Sequence, residues 1–421
     1  GEGKGMIGNC LPAGRSIPLL VLSCAVLAAD TLAFGLAPAF GARGRSPPLG
    51  AATRRPGAPG TSIRMGGEGT ALAKATVGSL PATFRALRAT GTGDTFRSVA
   101  AVQEVSTKEL AADEVCVRVT YCGINGGCET FRARGEGGFT ANQGKDDFAL
   151  GAEGCGVIQA TGSGVKGLQV GDSVTFIGGA FAECAVVKET SCLKVKEASA
   201  EVVALRVSGV SGFGAVAKAD LQPRETVLVT AAAGALGSFV VQAAKKRGCT
   251  VIGTTRSAEK AQMLCKLGCD HIINYKNRDV KEAVLKQCPN GVDAVIDGVG
   301  GKMLETALDC LKPDGRLVMA GYISEYPHSK DEKATNLGFD QAEIFWTNKT
   351  IKRGKQTIHG NISLGSMEKY MSTRDEVFSL YDAGDLQVIL DQKQFSGLVS
   401  IPDALEHMLS GETMGKVVVK I

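Results

Sequence analysis

The chain has 421 residues, 44% of them hydrophobic and 21% charged, with a formal net charge of +4. That length exceeds one typical domain and predicts two, and the composition is that of a globular rather than a disordered or fibrous protein. The small charge, with no basic block interleaved with aromatics, excludes nucleic acid as a partner, and 13 scattered cysteines without a Cys-x-x-Cys read as reduced thiols rather than a disulfide framework.

Residues 1–78 read as a targeting leader. Lys4 and Arg15 precede an apolar run over 17–29 that is too short to span a bilayer and is sized like a signal-peptide core. From 31 to 67 there are five arginines and five prolines but neither acid nor lysine, a transit-peptide composition. A signal-like part over 6–30 and a transit-like part over 31–78 together resemble the bipartite plastid leaders of algae with secondary plastids, with Phe34 or Phe40 as the recognised aromatic. A disordered tail, or a mitochondrial or secretory address, is the alternative. No stable membrane insertion is expected after processing.

The folded pattern begins near Ser79. Alternation at 115–119 (Val-Cys-Val-Arg-Val), with short runs at 154–158, 173–177 and 181–187 between Gly-rich turns, predicts strands of a small barrel. Residues 201–219 read as helix. Strand–helix alternation follows to about 321, with strands at 226–230, 250–254, 272–274, 293–297 and 316–320, which predicts a parallel, doubly wound sheet. Residues 326–350 read as polar loop broken by a helix around 341–346. The tail 416–421 reads as a strand returning to the first domain. The expected class is α/β, a β-barrel domain plus a Rossmann domain, with limits 79–205, 206–358 and 359–421.

The most informative stretch is Thr226-Val-Leu-Val-Thr230 followed by Ala232-x-Gly234-x-x-Gly237 and an amphipathic helix over 238–247. Strand, small-residue turn and helix in that order are what a dinucleotide fingerprint requires, since the backbone can approach a pyrophosphate whose charge the helix N-terminus favours. The acid that would grip a ribose 2′-hydroxyl after the next strand is missing. Thr255, Arg256 and Ser257 stand there, with Lys260 one turn on. Cations in place of an acid predict the 2′-phosphate of NADPH; a strand–turn–helix with no ligand is the plainer alternative.

Tyr121-Cys-Gly-Ile-Asn125, Leu150-Gly-Ala-Glu-Gly154, Leu267-Gly-Cys-Asp-His-Ile-Ile-Asn-Tyr275, Asp297-Gly-Val-Gly-Gly301 and Gly415-Lys-Val-Val-Val419 extend the pattern. With these passages the chain from about 79 to 421 resembles the medium-chain dehydrogenase/reductase superfamily, in its zinc-free quinone oxidoreductase branch. The resemblance implies a GroES-like first domain and a homodimer. It also implies hydride transfer from NADPH to an α,β-unsaturated carbonyl (an enone or a 15-oxo-prostaglandin-like lipid) or to a quinone. It places Arg256, Lys260 and Tyr275 on the 2′-phosphate, and Leu236 and Gly237 under the pyrophosphate. Gly298, Ala320 and Tyr326 come along the cofactor, Asn361 and Ile362 near the nicotinamide, and Thr413 in the C-terminal lobe. Asn125 is the catalytic candidate, donating to a developing enolate; a turn-capping amide is its plainer role. Asn125 and Ala152 fall where zinc-using relatives carry ligands, so no metal is expected, and Glu153 is expected to be a structural carboxylate. Phe131 stands where relatives place a tyrosine hydroxyl, which leaves the proton to water, the ribose, Tyr322 or Tyr326. A non-catalytic nucleotide-binding protein, like the crystallins and vesicle proteins of the superfamily, is the alternative function.

Overall fold

The computed structural model describes residues 80–326 and 337–421. The leader expected over 1–78 lies outside the described residues.

Val227 and Val229 pack into one core, while Leu228 between them packs into another. The strand Thr226–Val229 is therefore covered on both faces, as a parallel strand must be. It sits third in a seven-stranded sheet. The order is His271–Asn274, Thr250–Thr255, Thr226–Val229, Val292–Asp297, Leu311–Met319, Gln356–His359 and Thr350–Arg353. All neighbours run parallel except the last pair. The chain moves outward from Thr226–Val229 through the next two strands, then crosses back to Val292–Asp297 on its other side. That reversal makes a switch point at the C-terminal ends of the two strands, where such sheets bind ligands.

The second domain is β-rich. Its largest sheet runs Phe395–Ser396, Val418–Lys420, Glu114–Gly123, Glu153–Thr161, Ser173–Ile177 and Cys192–Lys194, with Cys184–Lys188 also paired to Glu114–Gly123. A three-stranded sheet of Ala100–Ser106, Thr83–Ala89 and Phe148–Ala149 accompanies it. The C-terminal tail returns as expected, Val419 pairing with Cys122.

Two limits and one element differ from the expectation. The expected return to the β domain at 359 comes too early: the helix Met367–Asp382 stays on the nucleotide side, where Val377 is fully buried in that core. The chain crosses over only near Leu390, which bridges to Lys416. The boundary at 205/206 cuts through a continuous helical segment, Ala200–Lys218. Ala204 and Leu205 before the cut already belong to the nucleotide core. This segment is long and apolar enough to cross a membrane, but 72% of it is buried inside the protein, which makes it a core helix. Finally, the stretch after the loop read over 326–350, to which the sequence assigns no element, forms an antiparallel hairpin, Thr350–Arg353 with Gln356–His359, turning at Gly354 with φ 63°. Its outer strand is mostly exposed and carries Lys352 and Arg353, the charged edge that keeps a sheet from pairing further.

His359 in that hairpin gives a pH signature. Burial, then Lys218, Lys352 and Arg316, pushes its imidazole from 6.5 down to about 4. The unfolded chain therefore binds the extra proton between those values. This contribution to stability is complete above pH 6.5 and is lost as pH falls to about 4. His359→Gln is expected to flatten the pH dependence of the urea midpoint in that window and to leave it unchanged above.

Candidate functional site

A cleft of about 870 Å3 opens at the switch point, walled by both domains. At its base Asp297, fully buried, accepts from Thr230 Oγ1 at 2.6 Å and from Gly300 N at 2.8 Å, which fixes the loops that follow the two central strands. Ala231 begins the turn at φ 47°, a left-handed conformation costing a side chain about 1 kcal/mol. The helix Ala235–Lys246 then starts at Gly234 with no side-chain cap and no acid in its first turn. Its first turn, with Leu236 and Gly237, lines the cleft, and an anion is what such an end attracts.

One end of the cleft is cationic. Ser257 caps the helix Ala258–Lys266 by accepting from Lys260 N at 3.2 Å, so Arg256 and Lys260 come side by side. Lys260 is 9% exposed, and its Nζ donates to Gly411 O at 2.9 Å. Arg256 Nη1 reaches Ser410 O at 3.4 Å. Neither forms an ion pair among the described residues. Burial, then the charge of Arg256, pushes the Lys260 ammonium below its ordinary value. Tyr275, whose N–H donates to Thr255 O at 3.0 Å, brings its ring to the same corner. Thr255 Oγ1 lines this corner, buried and without a hydrogen-bond partner. Two cations that form no ion pair, beside an orphaned hydroxyl, fit a phosphate monoester.

At the other end stands Asn125. It occupies the N-cap position of the helix Gly126–Arg134, but its side chain makes no cap hydrogen bond, so the capping role is excluded. Its amide is held by a buried ion pair instead. Asn125 Nδ2 donates to Glu153 Oε1 at 2.7 Å, and Lys416 Nζ donates to Asn125 Oδ1 at 2.7 Å. Lys416 Nζ and Glu153 Oε1 lie 2.6 Å apart, their side chains 1% and 0% exposed. Glu153 Oε2 accepts from Val207 N at 2.8 Å, inside a π-turn over Leu205–Gly209, a distortion found often at functional sites. Both Glu153 oxygens are thus engaged by groups of the protein itself, Oε1 by Asn125 and Lys416 and Oε2 by Val207. Lys416 was missed, although a lysine at the start of an apolar strand is itself a signal.

An aromatic wall closes this end. Phe131 packs on Trp346, Tyr322 and Tyr326 at centroid distances of 5.1, 5.5 and 5.7 Å. The Tyr322 hydroxyl is buried. The Tyr326 hydroxyl lies against the first turn after Asn125: a Cβ added at Gly127 would stand 2.5 Å from it. Gly298, Ala320, Ile362 and Thr413 line the cleft. Asn361 does not. It is fully buried behind the wall, its Nδ2 donating to Phe345 O at 2.7 Å and its Oδ1 accepting from Ser363 N at 2.8 Å. Its polar atoms are consumed in tying the end of the Gln341–Trp346 helix to the chain after the hairpin.

Residues 111–231 match the alcohol dehydrogenase GroES-like domain, and residues 235–361 the zinc-binding dehydrogenase family. A probable quinone oxidoreductase of Leishmania amazonensis is 32% identical over 350 residues, 82% of this chain and 99% of that protein. The chain belongs to the medium-chain dehydrogenase/reductase superfamily. Prostaglandin reductase-3 of Mus musculus is also 32% identical, over 82% of this chain and 91% of its own length. The crystal structure of Escherichia coli quinone oxidoreductase complexed with NADPH is 25% identical, with a TM-score of 0.66, over 81% of this chain and 100% of that one. The β domain is thus the GroES-like domain of the superfamily and the parallel sheet its Rossmann-like domain.

The zinc of the family's name does not fit this cleft. Among the described residues no group of three or more His, Cys, Asp or Glu is placed to hold a metal. Ala152 has no donor atom, and the Asn125 amide already accepts from an ammonium. Elemental analysis of the purified protein should find no stoichiometric zinc, and dialysis against chelator should leave its turnover unchanged.

Proposed function

We propose that the chain is an NADPH-dependent, zinc-free reductase of activated double bonds: enones, including 15-oxo-prostaglandin-like lipids, or quinones. The observation that carries this reading is one cleft with two cations that form no ion pair among the described residues at one end and a charge-clamped amide at the other. Bound there, NADPH supplies a hydride. Arg256, Lys260 and Tyr275 would hold its 2′-phosphate, and the helix start at Leu236 and Gly237 its pyrophosphate. Gly298, Ala320 and Ile362 leave the rest of the groove open to it, with Thr413 on the facing lobe. Asn125 would donate to the carbonyl oxygen as it becomes an enolate. Tyr326, rather than the buried Tyr322, offers a hydroxyl from which the α-carbon could take its proton. Phe131 and Trp346 wall the site with apolar surface suited to the rest of the substrate.

The phenyl ring of Phe131, which has no proton to give, favours a second reading: a nucleotide-binding protein without turnover. Oxidation of NADPH, followed with an alkyl vinyl ketone and with a benzoquinone, separates the two; NADPH binding with no oxidation by either acceptor supports the second. The resemblance also implies a homodimer, which analytical ultracentrifugation tests.

A plastid address is part of the proposal, supported by the acid-free, Arg- and Pro-rich composition after the apolar run. N-terminal sequencing of the native protein should find a start near residue 79, and the shortened chain should fold and bind NADPH. A mature chain that keeps residues 17–29 would point to a membrane anchor, and mitochondrial or secretory recovery to another address.

A further inference from the structure

We propose that Lys416 is the positioning residue of the active site: anchored by Glu153, its ammonium locks the Asn125 amide in the one orientation that leaves an N–H free for the substrate. This rests on the reductase reading above.

The orientation follows from donor and acceptor chemistry. An ammonium can only donate and a carboxylate can only accept. Asn125 Oδ1 must therefore face Lys416 and Nδ2 must face Glu153, at 2.7 Å each. Turned over, the amide would set its oxygen against the carboxylate and its N–H groups against the ammonium. Asn125 spends one Nδ2 hydrogen on Glu153 and keeps a second, and the residue lines the cleft.

Lys416 acts through Asn125 and not on the substrate, because its donors are already taken. They go to Glu153 at 2.6 Å, Asn125 at 2.7 Å and, more weakly, Ser208 Oγ at 3.4 Å. The anchor is itself fixed from the nucleotide side, since Glu153 Oε2 accepts from Val207 N in the π-turn. Glu153, at the start of the strand Glu153–Thr161, and Lys416, just before the last strand, Val418–Lys420, thus meet on one amide, and the π-turn holds both of them from behind.

The test is a double-mutant cycle on the full-length enzyme, with NADPH and an alkyl vinyl ketone or a benzoquinone. Lys416→Met should lower kcat by about 10²-fold, the scale of a reacting group displaced by an ångström, with the KM for NADPH changed less than about twofold. In an Asn125→Ala background the same change should cost less than about threefold, because the group it positions is gone. Lys416→Arg, which keeps a donor at the amide oxygen, should recover most of the rate. Lys416→Met leaves Glu153 buried and unpaired, so Lys416→Met with Glu153→Gln supplies a neutral pair and should be equally slow. Thermal unfolding and NADPH binding show which variants are folded.

Wild-type kcat in folded Lys416→Met, or in folded Lys416→Met with Glu153→Gln, overturns the proposal. So do losses that multiply across the cycle, which are the mark of a merely structural lysine. A wild-type enzyme that reduces neither acceptor overturns the reductase reading and this inference with it, an outcome distinct from an active enzyme with an additive cycle.

Discussion

Alanine at both Arg256 and Lys260 should remove most of the preference for NADPH over NADH. The two cations meet at the end of the Thr250–Thr255 strand, where an NAD-selective fold places a carboxylate. A hydrogen bond to a charged group contributes roughly 1.5–3 kcal/mol. Arg256 is partly exposed, which puts its share at the low end, while Lys260 is buried and holds only a backbone carbonyl. Together they predict roughly 3 kcal/mol of discrimination, or about a hundredfold in Kd. The double variant should bind the two cofactors within about threefold of each other, mostly through weaker NADPH binding. Affinity for NADH should barely change, since NADH brings no 2′-phosphate to this corner. The pH dependence has a definite sign. Burial and Arg256 lower the Lys260 pKa, so the cation is lost earlier than in an ordinary lysine as pH rises, and the preference for NADPH falls with it. Fluorescence titration with each cofactor measures all of this; equal wild-type affinities would sink the phosphate assignment.

How much of this was legible depends on sequence separation. The phosphate corner is local: a strand end, a capping Ser257 and a lysine one turn later make a pattern that no other part of the chain needs to complete. The central strands were legible because both faces are covered, which leaves continuous runs such as Val227-Leu-Val229. The hairpin at 350–359 was not, because its outer strand is exposed and its residues follow solubility rather than packing. The helix Met367–Asp382 was not because it buries few residues, Thr373, Arg374 and Val377 among them, and so leaves a faint apolar stripe. Asn361 was misplaced for a related reason: an asparagine in a turn looks the same whether it faces a ligand or, as here, its own backbone. The contact that organises the catalytic end joins Lys416 to Asn125 across 291 positions, a pairing that only the folded sheet supplies.

Asn125→Ala should lower the turnover of enones by roughly 10²–10³, the loss expected when one oxyanion donor is removed. The effect belongs in kcat, because the amide meets full negative charge only as the enolate forms. NADPH affinity should change little, since Arg256, Lys260 and the uncapped helix lie at the far end of the cleft on the other domain. The fold should also survive. Without the amide, Lys416 keeps its ion pair with Glu153 at 2.6 Å and its contact with Ser208, so no buried charge is left alone. Asn125→Asp is the harsher control, because a second carboxylate beside Glu153 would repel both it and the enolate. Phe131→Tyr supplies the other arm. The ring already stands edge-on to Tyr326 at 5.7 Å, so a hydroxyl there would add a second proton source beside the first and leave activity equal or higher. Should Asn125→Ala reduce enones at the wild-type rate, the donor role would pass to Tyr326. Tyr326→Phe should then show the loss in kcat that Asn125→Ala did not.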